Sequence, residues 1–197
     1  KQRLQYVLTH PHHNLQKIEQ TQKALQQIGA VMHQWPNEIS NGTILMLEKF
    51  YGYPFDKIPD SSSPLPAFLY KIFDAHDYNL VRYTVGHFID FLKGMKNLEK
   101  LLSADDASPL LLTIVTEIRK RLKEDLIQQM IAVEKTKKLS PPRMLRFGNY
   151  LRYEFRQSAE LLIDLYHQLD AYYSMAKAVQ KFDLHFPKMQ ESDKPMI

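Results

Sequence analysis

The sequence predicts an all-α protein: a multi-helix core domain carrying a protruding antiparallel pair of long lever helices. Apolar residues recur at intervals of three and four almost everywhere, the period of a helix with one buried face. No stretch alternates apolar and polar residues as a half-buried strand must. The third observation is length. Two uninterrupted helical patterns, 108–138 and 144–182, are separated only by the turn LSPPR at 139–143.

The elements follow in order. Leu4, Val7 and Leu8 form a short apolar face that ends at Pro11, because a proline disfavours helix at the residue before it. Asn14 is placed to cap a second helix, whose stripe is Leu15, Ile18, Leu25, Ile28, Val31 and Met32 and which ends near Trp35-Pro36. ILMLEKFYGYPF (44–55) is a shorter helix broken at Gly52 and Pro54. DKIPDSSSPLP (56–66) reads as a loop. Helix resumes from Leu65 with Phe68, Leu69, Ile72 and Phe73 and pauses at DAHDYN, where Asp77 or Asn79 caps the next helix. That helix carries Leu80, Val81, Val85, Phe88, Ile89, Leu92, Met95, Leu98 and Leu101. After the turn SADDASP, Ser108-Pro109 is a good helix start.

The segment from Met144 to Phe182 shows only Gly148 as a weak point. As one helix it would span roughly 58 Å at 1.5 Å per residue. A compact chain of this length is only about 42 Å across, so one end must protrude unless the helix breaks. The expected organisation is a helical core at 1–107, lever helices at 108–182 turning at 139–143, and a link at 183–197. The chain opens without a methionine, at a sequence that already reads as helix, and is expected to be a piece of a longer protein.

Bulk composition excludes several classes. The 44% hydrophobic and 24% charged content is ordinary for a globular protein. The longest apolar runs, such as LLLTIV at 110–115, are far too short to span a bilayer, and no signal peptide is visible. Zero cysteines rule out disulfides and thiolate chemistry and suit a cytoplasmic protein. Neither GxxxxGK[ST] nor GxGxxG nor GxSxG occurs, so no phosphate-cradling loop or nucleophile elbow can be placed. A net charge of +4 permits nucleic-acid contact without demanding it.

His10, His12 and His13 invite a metal reading. The adjacent pair diverges in any backbone conformation, however, and no HExxH pattern anchors a site, so a wet helix corner explains the segment better.

The stretch RLQYVLTHPHHNLQKIEQTQKAL (3–25) resembles the opening of the core domain of MutS-family DNA mismatch-repair ATPases. Arg3, Leu4, Tyr6, Leu8, Pro11, Asn14, Ile18 and Ala24 carry the likeness; Tyr6 replaces the family's usual tryptophan, and Thr21 stands where an arginine is common. LDAYYSMAKAV (169–179) resembles the family's helix before the ATPase domain, and HFPKMQESDKPMI the link into it. The resemblance implies a clampless relative, with LSPPR standing where other members insert a clamp. It implies a non-enzymatic core and lever domain, without a cofactor of its own. ATP and Mg would belong to an ATPase domain after Ile197. The implied partners are that ATPase domain and, weakly and without sequence preference, DNA. This stretch would be monomeric and the whole protein a homodimer.

Lys135, Lys137, Lys138, Arg143 and Arg146 gather around the turn, with Arg152, Arg156, Tyr150 and Tyr153 nearby. They are candidate DNA-phosphate contacts, or a solvated helix end where lysines favour the dipole. RKRLKED (119–125) reads as a solvated face with Arg121 and Asp125 paired at i,i+4. Phe147, Tyr150, Leu151, Phe155 and Tyr172-Tyr173 have the spacing of a core seam rather than of a stacking surface. His76-Asp77 resembles the dyad of helical metal-dependent phosphohydrolases, for which His33 and Asp170 are the nominal further ligands; a polar helix break is the plainer reading. A helical partner-binding module is the other alternative function.

Overall fold

The computed structural model describes residues 2–55, 57–60 and 64–188, so part of the expected 56–66 loop and most of the expected link lie outside the described residues. The described chain is all-helical, without strands: α1 (Gln2–Thr9), α2 (Leu15–Val31), α3 (Asn41–Gly52), α4 (Pro64–Phe73), α5 (Ala75–Leu101), α6 (Pro109–Leu122), α7 (Asp125–Ile131), α8 (Pro141–Tyr153) and α9 (Arg156–Lys181). Single 3₁₀ turns stand at Met32–Gln34 and Thr136–Lys138.

Local chemistry sets most boundaries where the sequence places them. Asn14 caps α2 by accepting from the Lys17 N–H at 3.2 Å. Ser40 and Thr43 form a reciprocal capping box at the start of α3, satisfying two otherwise orphaned donors. Ser108, fully buried, accepts from the Leu111 N–H at 3.2 Å and holds the proline-led start of α6.

Three expectations are corrected. The pause at DAHDYN shrinks to Asp74: its N–H bonds the Tyr70 carbonyl at 2.9 Å and its carbonyl accepts from Tyr78 N–H at 2.9 Å, so Asp77 and Asn79 lie inside α5 and cap nothing. Burial of Tyr78, Val81 and Val85 explains why the helix starts early.

The first long lever helix is also absent. α6 stops at Leu122, and the chain bends at Lys123-Glu124 before α7. The Gln128 side chain donates to the stranded Leu122 carbonyl, while the Glu124 carboxylate accepts from the Tyr150 hydroxyl. Arg121 and Asp125 therefore do not share an unbroken helical face.

The second long helix breaks at Glu154-Phe155, not at Gly148. The Tyr150 carbonyl accepts from both Glu154 (3.0 Å) and Phe155 (2.9 Å) N–H groups, a widened turn that sends Phe155 into the core at 1% exposure. The length argument for a protruding end falls with this break.

The fold gathers into two compact units, each built from separate stretches rather than from the linear division expected. Unit 1 comprises 1–35, 99–117 and 164–197; unit 2 comprises 36–98 and 118–163. In unit 1 the core is Ala24, Leu25, Ile28, Leu111, Ile114, Leu169, Tyr172 and Ala176, with Trp35 packed on Tyr173 at 4.8 Å between ring centroids. Gln27 ties the 104–108 turn to α2, donating to Asp106 carbonyl at 2.9 Å and accepting from Ser108 N–H at 2.8 Å.

In unit 2 the core is aromatic: Phe50, Phe88, Phe91, Phe147 and Phe155 are all fully buried. Of the expected seam, Phe147, Tyr150, Leu151 and Phe155 are buried in this unit, whereas Tyr172 is buried in unit 1 and Tyr173 is half-buried there. Ile58 is an anchor within the supposed loop. It is fully buried, and its carbonyl accepts from the Asn149 side chain at 2.7 Å.

One core position works against stability. Thr84 is completely buried on α5, and its hydroxyl has no hydrogen-bond partner. A buried unsatisfied hydroxyl costs on the order of 1–3 kcal/mol. Thr84→Val, nearly the same shape, is expected to raise the unfolding free energy by about 1 kcal/mol in a urea melt; a loss of stability would show that the hydroxyl is satisfied in solution.

Candidate functional site

The five basic residues named from the sequence sit together in unit 2, and all are exposed. They do not decorate the end of a long helix. Lys135 precedes the 3₁₀ turn, Lys137 and Lys138 are on it, and Arg143 and Arg146 lie one turn apart on α8. The helix-dipole explanation of the lysines therefore loses its helix. The turn is fixed from below: Val133 is buried, and its carbonyl accepts from the Lys93 ammonium. Within the turn, Lys138 N–H donates to Lys135 carbonyl at 3.0 Å and Leu139 N–H to Thr136 carbonyl at 3.1 Å.

The structure adds a second wall. Thr136 and Lys137 line a groove of about 320 Å³ together with Asn79, Arg82, Tyr83 and Gly86 of α5 and Met144 of α8. Two cations, a threonine hydroxyl, an amide and an exposed tyrosine ring thus share one concavity. Among the described residues, none of Arg82, Lys135, Lys137, Lys138, Arg143 and Arg146 is paired with a carboxylate. Arg143 rests over the Phe147 ring at 5.3 Å, which holds its guanidinium at the surface while its stem covers apolar ground.

An anion is what such a surface can take. Unpaired cations beside neutral donors can replace the counterions of a phosphate backbone. Asn79, Arg82 and Tyr83 were not legible as site residues, because they stand on another helix. Conversely, Arg152 and Tyr150 leave the set. Arg152 is spent on the core, donating to the Phe50 and Tyr53 carbonyls. Tyr150 is buried; its hydroxyl is held far above the ordinary tyrosine range by burial and then by its hydrogen bond to Glu124.

The histidines of the corner stay at the surface. His10 stacks on Tyr6 at 4.3 Å, with Nδ1 within 3.1 Å of the Tyr6 carbonyl; His10 and His12 border a cavity in unit 1, whereas His13 does not. Asp77 accepts from the Tyr53 hydroxyl at 3.4 Å. His76 and Asp77 belong to unit 2, and the nominal ligands His33 and Asp170 to unit 1. Among the described residues no group of three or more His, Asp or Glu side chains is arranged to hold a metal ion, and no helix is long and apolar enough to cross a membrane. No family model, curated protein or solved structure matches the chain.

Proposed function

We propose that this chain is the core domain of a MutS-like ATPase and couples an ATPase domain in the same polypeptide to a nucleic-acid-contacting surface. One observation carries the reading. The two stretches that bear the resemblance, 3–25 and 169–179, lie far apart in sequence yet fold into the same compact unit. There Arg3 of α1 reaches Asp164 of α9 at 3.7 Å, and α1, α2 and α9 wall one cavity. The cationic groove supports the second half of the proposal, with Arg82, Lys137 and their neighbours as backbone contacts. The paired levers form no part of it; α9, 26 residues long, is the rod that leads towards the link.

The test is the coding sequence past Ile197. A GxxxxGK[ST] motif within about a hundred residues is expected, and a stop codon or an unrelated domain there would sink the assignment.

The partner-binding alternative is favoured by α4. Leu65, Phe68, Leu69, Ile72 and Phe73 are between 43 and 77% exposed and follow a helical face that exposed helices seldom leave bare.

A further inference from the structure

The cavity beside the histidine corner owes nothing to that reading. It is an open cavity of about 490 Å³ within unit 1, in the size range of small-molecule sites. Val7, Ile18, Leu25, Tyr172, Met175 and Phe186 make its walls. Its polar groups are Arg3, His10, His12, Thr21, Gln22 and Gln168. No aspartate or glutamate lines it. Arg3 is the only lysine, arginine, aspartate or glutamate among the lining residues, with its partner Asp164 standing 3.7 Å from it, and an anion with an apolar body fits a cavity of that lining.

The rim groups are partly committed already, in a way that leaves capacity. Arg3 reaches Asp164 only at 3.7 Å, with both side chains 38% and 53% exposed, and its guanidinium lies over the Tyr6 ring at 5.7 Å. A guanidinium has five donors in a planar fork, so donors remain for a carboxylate. Gln22 donates to the Pro187 carbonyl at 3.2 Å, next to Phe186 of the cavity wall. Gln168 donates to the Tyr172 hydroxyl at 3.2 Å, which leaves that hydroxyl its own hydrogen to give.

We infer that this cavity binds a small amphiphilic carboxylate, its hydrocarbon body between α1, α2 and α9 and its carboxylate on Arg3. A dry cavity of about 150 Å³ takes benzene, so this one suits a body two to three times larger, roughly twelve to eighteen non-hydrogen atoms.

Decanoate, below its micelle concentration, is the probe. Isothermal titration should give one saturable site with Kd on the order of 0.1 mM, the affinity expected of some twelve atoms. Decanol should bind roughly tenfold more weakly, the worth of a charge-assisted contact. Arg3→Gln should erase that difference without altering decanol binding. Thr21→Trp, at a half-buried cavity position, should fill the site and abolish binding. In chain labelled at the methionine methyl carbons, decanoate should shift the Met175 resonance, assigned with Met175→Leu; this measurement does not depend on the filled variant folding. Absence of saturable binding overturns the proposal. So does equal affinity for decanol and decanoate, an unmoved Met175 signal, or decanoate-induced dimerisation in place of a one-to-one complex.

Discussion

Gly148→Ala is expected to destabilise unit 2 by about 1–2 kcal/mol. A Cβ built at Gly148 would lie 2.4 Å from Val81 Cγ1 and within 3.8 Å of Val85 and Ile58. Val81 is β-branched on a helix and fully buried, so its methyl has few rotamers to retreat into. Overpacking a filled core costs about 1–3 kcal/mol, and so close an approach belongs at the upper end; the helix-propensity gain of alanine over glycine offsets about 1 kcal/mol of that. For a chain of this length each kcal/mol moves the melting midpoint by roughly 2–4 °C, so a fall of about 2–8 °C is expected by calorimetry. Val81→Ala in the same chain should recover part of the loss, less than additively, because the two sites touch. A Gly148→Ala variant as stable as the parent would mean that α5 and α8 do not approach as closely as described.

Binding to nucleic acid is the second large effect. With about five exposed cations engaged, Arg82 and Lys137 of them lining the groove, the logarithm of affinity should fall against log salt with a slope near −4 to −5. Between 50 and 200 mM salt this is a loss of several hundredfold. Lys137→Ala, Lys138→Ala and Arg143→Ala together should abolish binding and leave the helical circular dichroism unchanged, since all three side chains are exposed. Arg82→Ala is the sharper probe. It lies far from the cluster in sequence but lines the same groove, and its loss should weaken binding and reduce the slope by about one. The contacts proposed are with phosphates, which carry no sequence information directly, so matched and mismatched duplexes should bind alike. Clear preference for a mismatched or branched duplex at physiological salt would contradict this.

The lesson about legibility lies in the same residues. The helical class, the Pro11 corner with its Asn14 cap, the Ser108 start and the core seam from Phe147 to Tyr172 could all be read from local spacing. Each depends on residues within one or two turns. The breaks after Leu122 and at Glu154 could not, because no proline or glycine marks them. They are held by partners distant in sequence, Glu124 on Tyr150, and by the gain from burying Phe155. Gly148 misled for the same reason: it looks like a flaw in a helix and is in fact where another helix comes close. The basic cluster was visible as a run of lysines and arginines, of which Lys137 lines the groove. The rest of the groove, Asn79, Arg82 and Tyr83, required knowing which helix lies opposite.

The interleaving of the two units also sets a timetable for synthesis. Unit 1 takes its first stretch from residues 1–35 and its last from 164–197. At roughly 5–20 residues per second, Ala24, Leu25 and Ile28 emerge from the ribosome about seven to thirty seconds before Leu169, Tyr172 and Ala176 of the same core. During that interval the nascent corner displays apolar side chains with no native partner, and α1, at eight residues, is too short to hold a helix by itself. Synonymous codons that slow translation between residues 120 and 160 would lengthen the wait, and with it the demand for a chaperone at the exit tunnel.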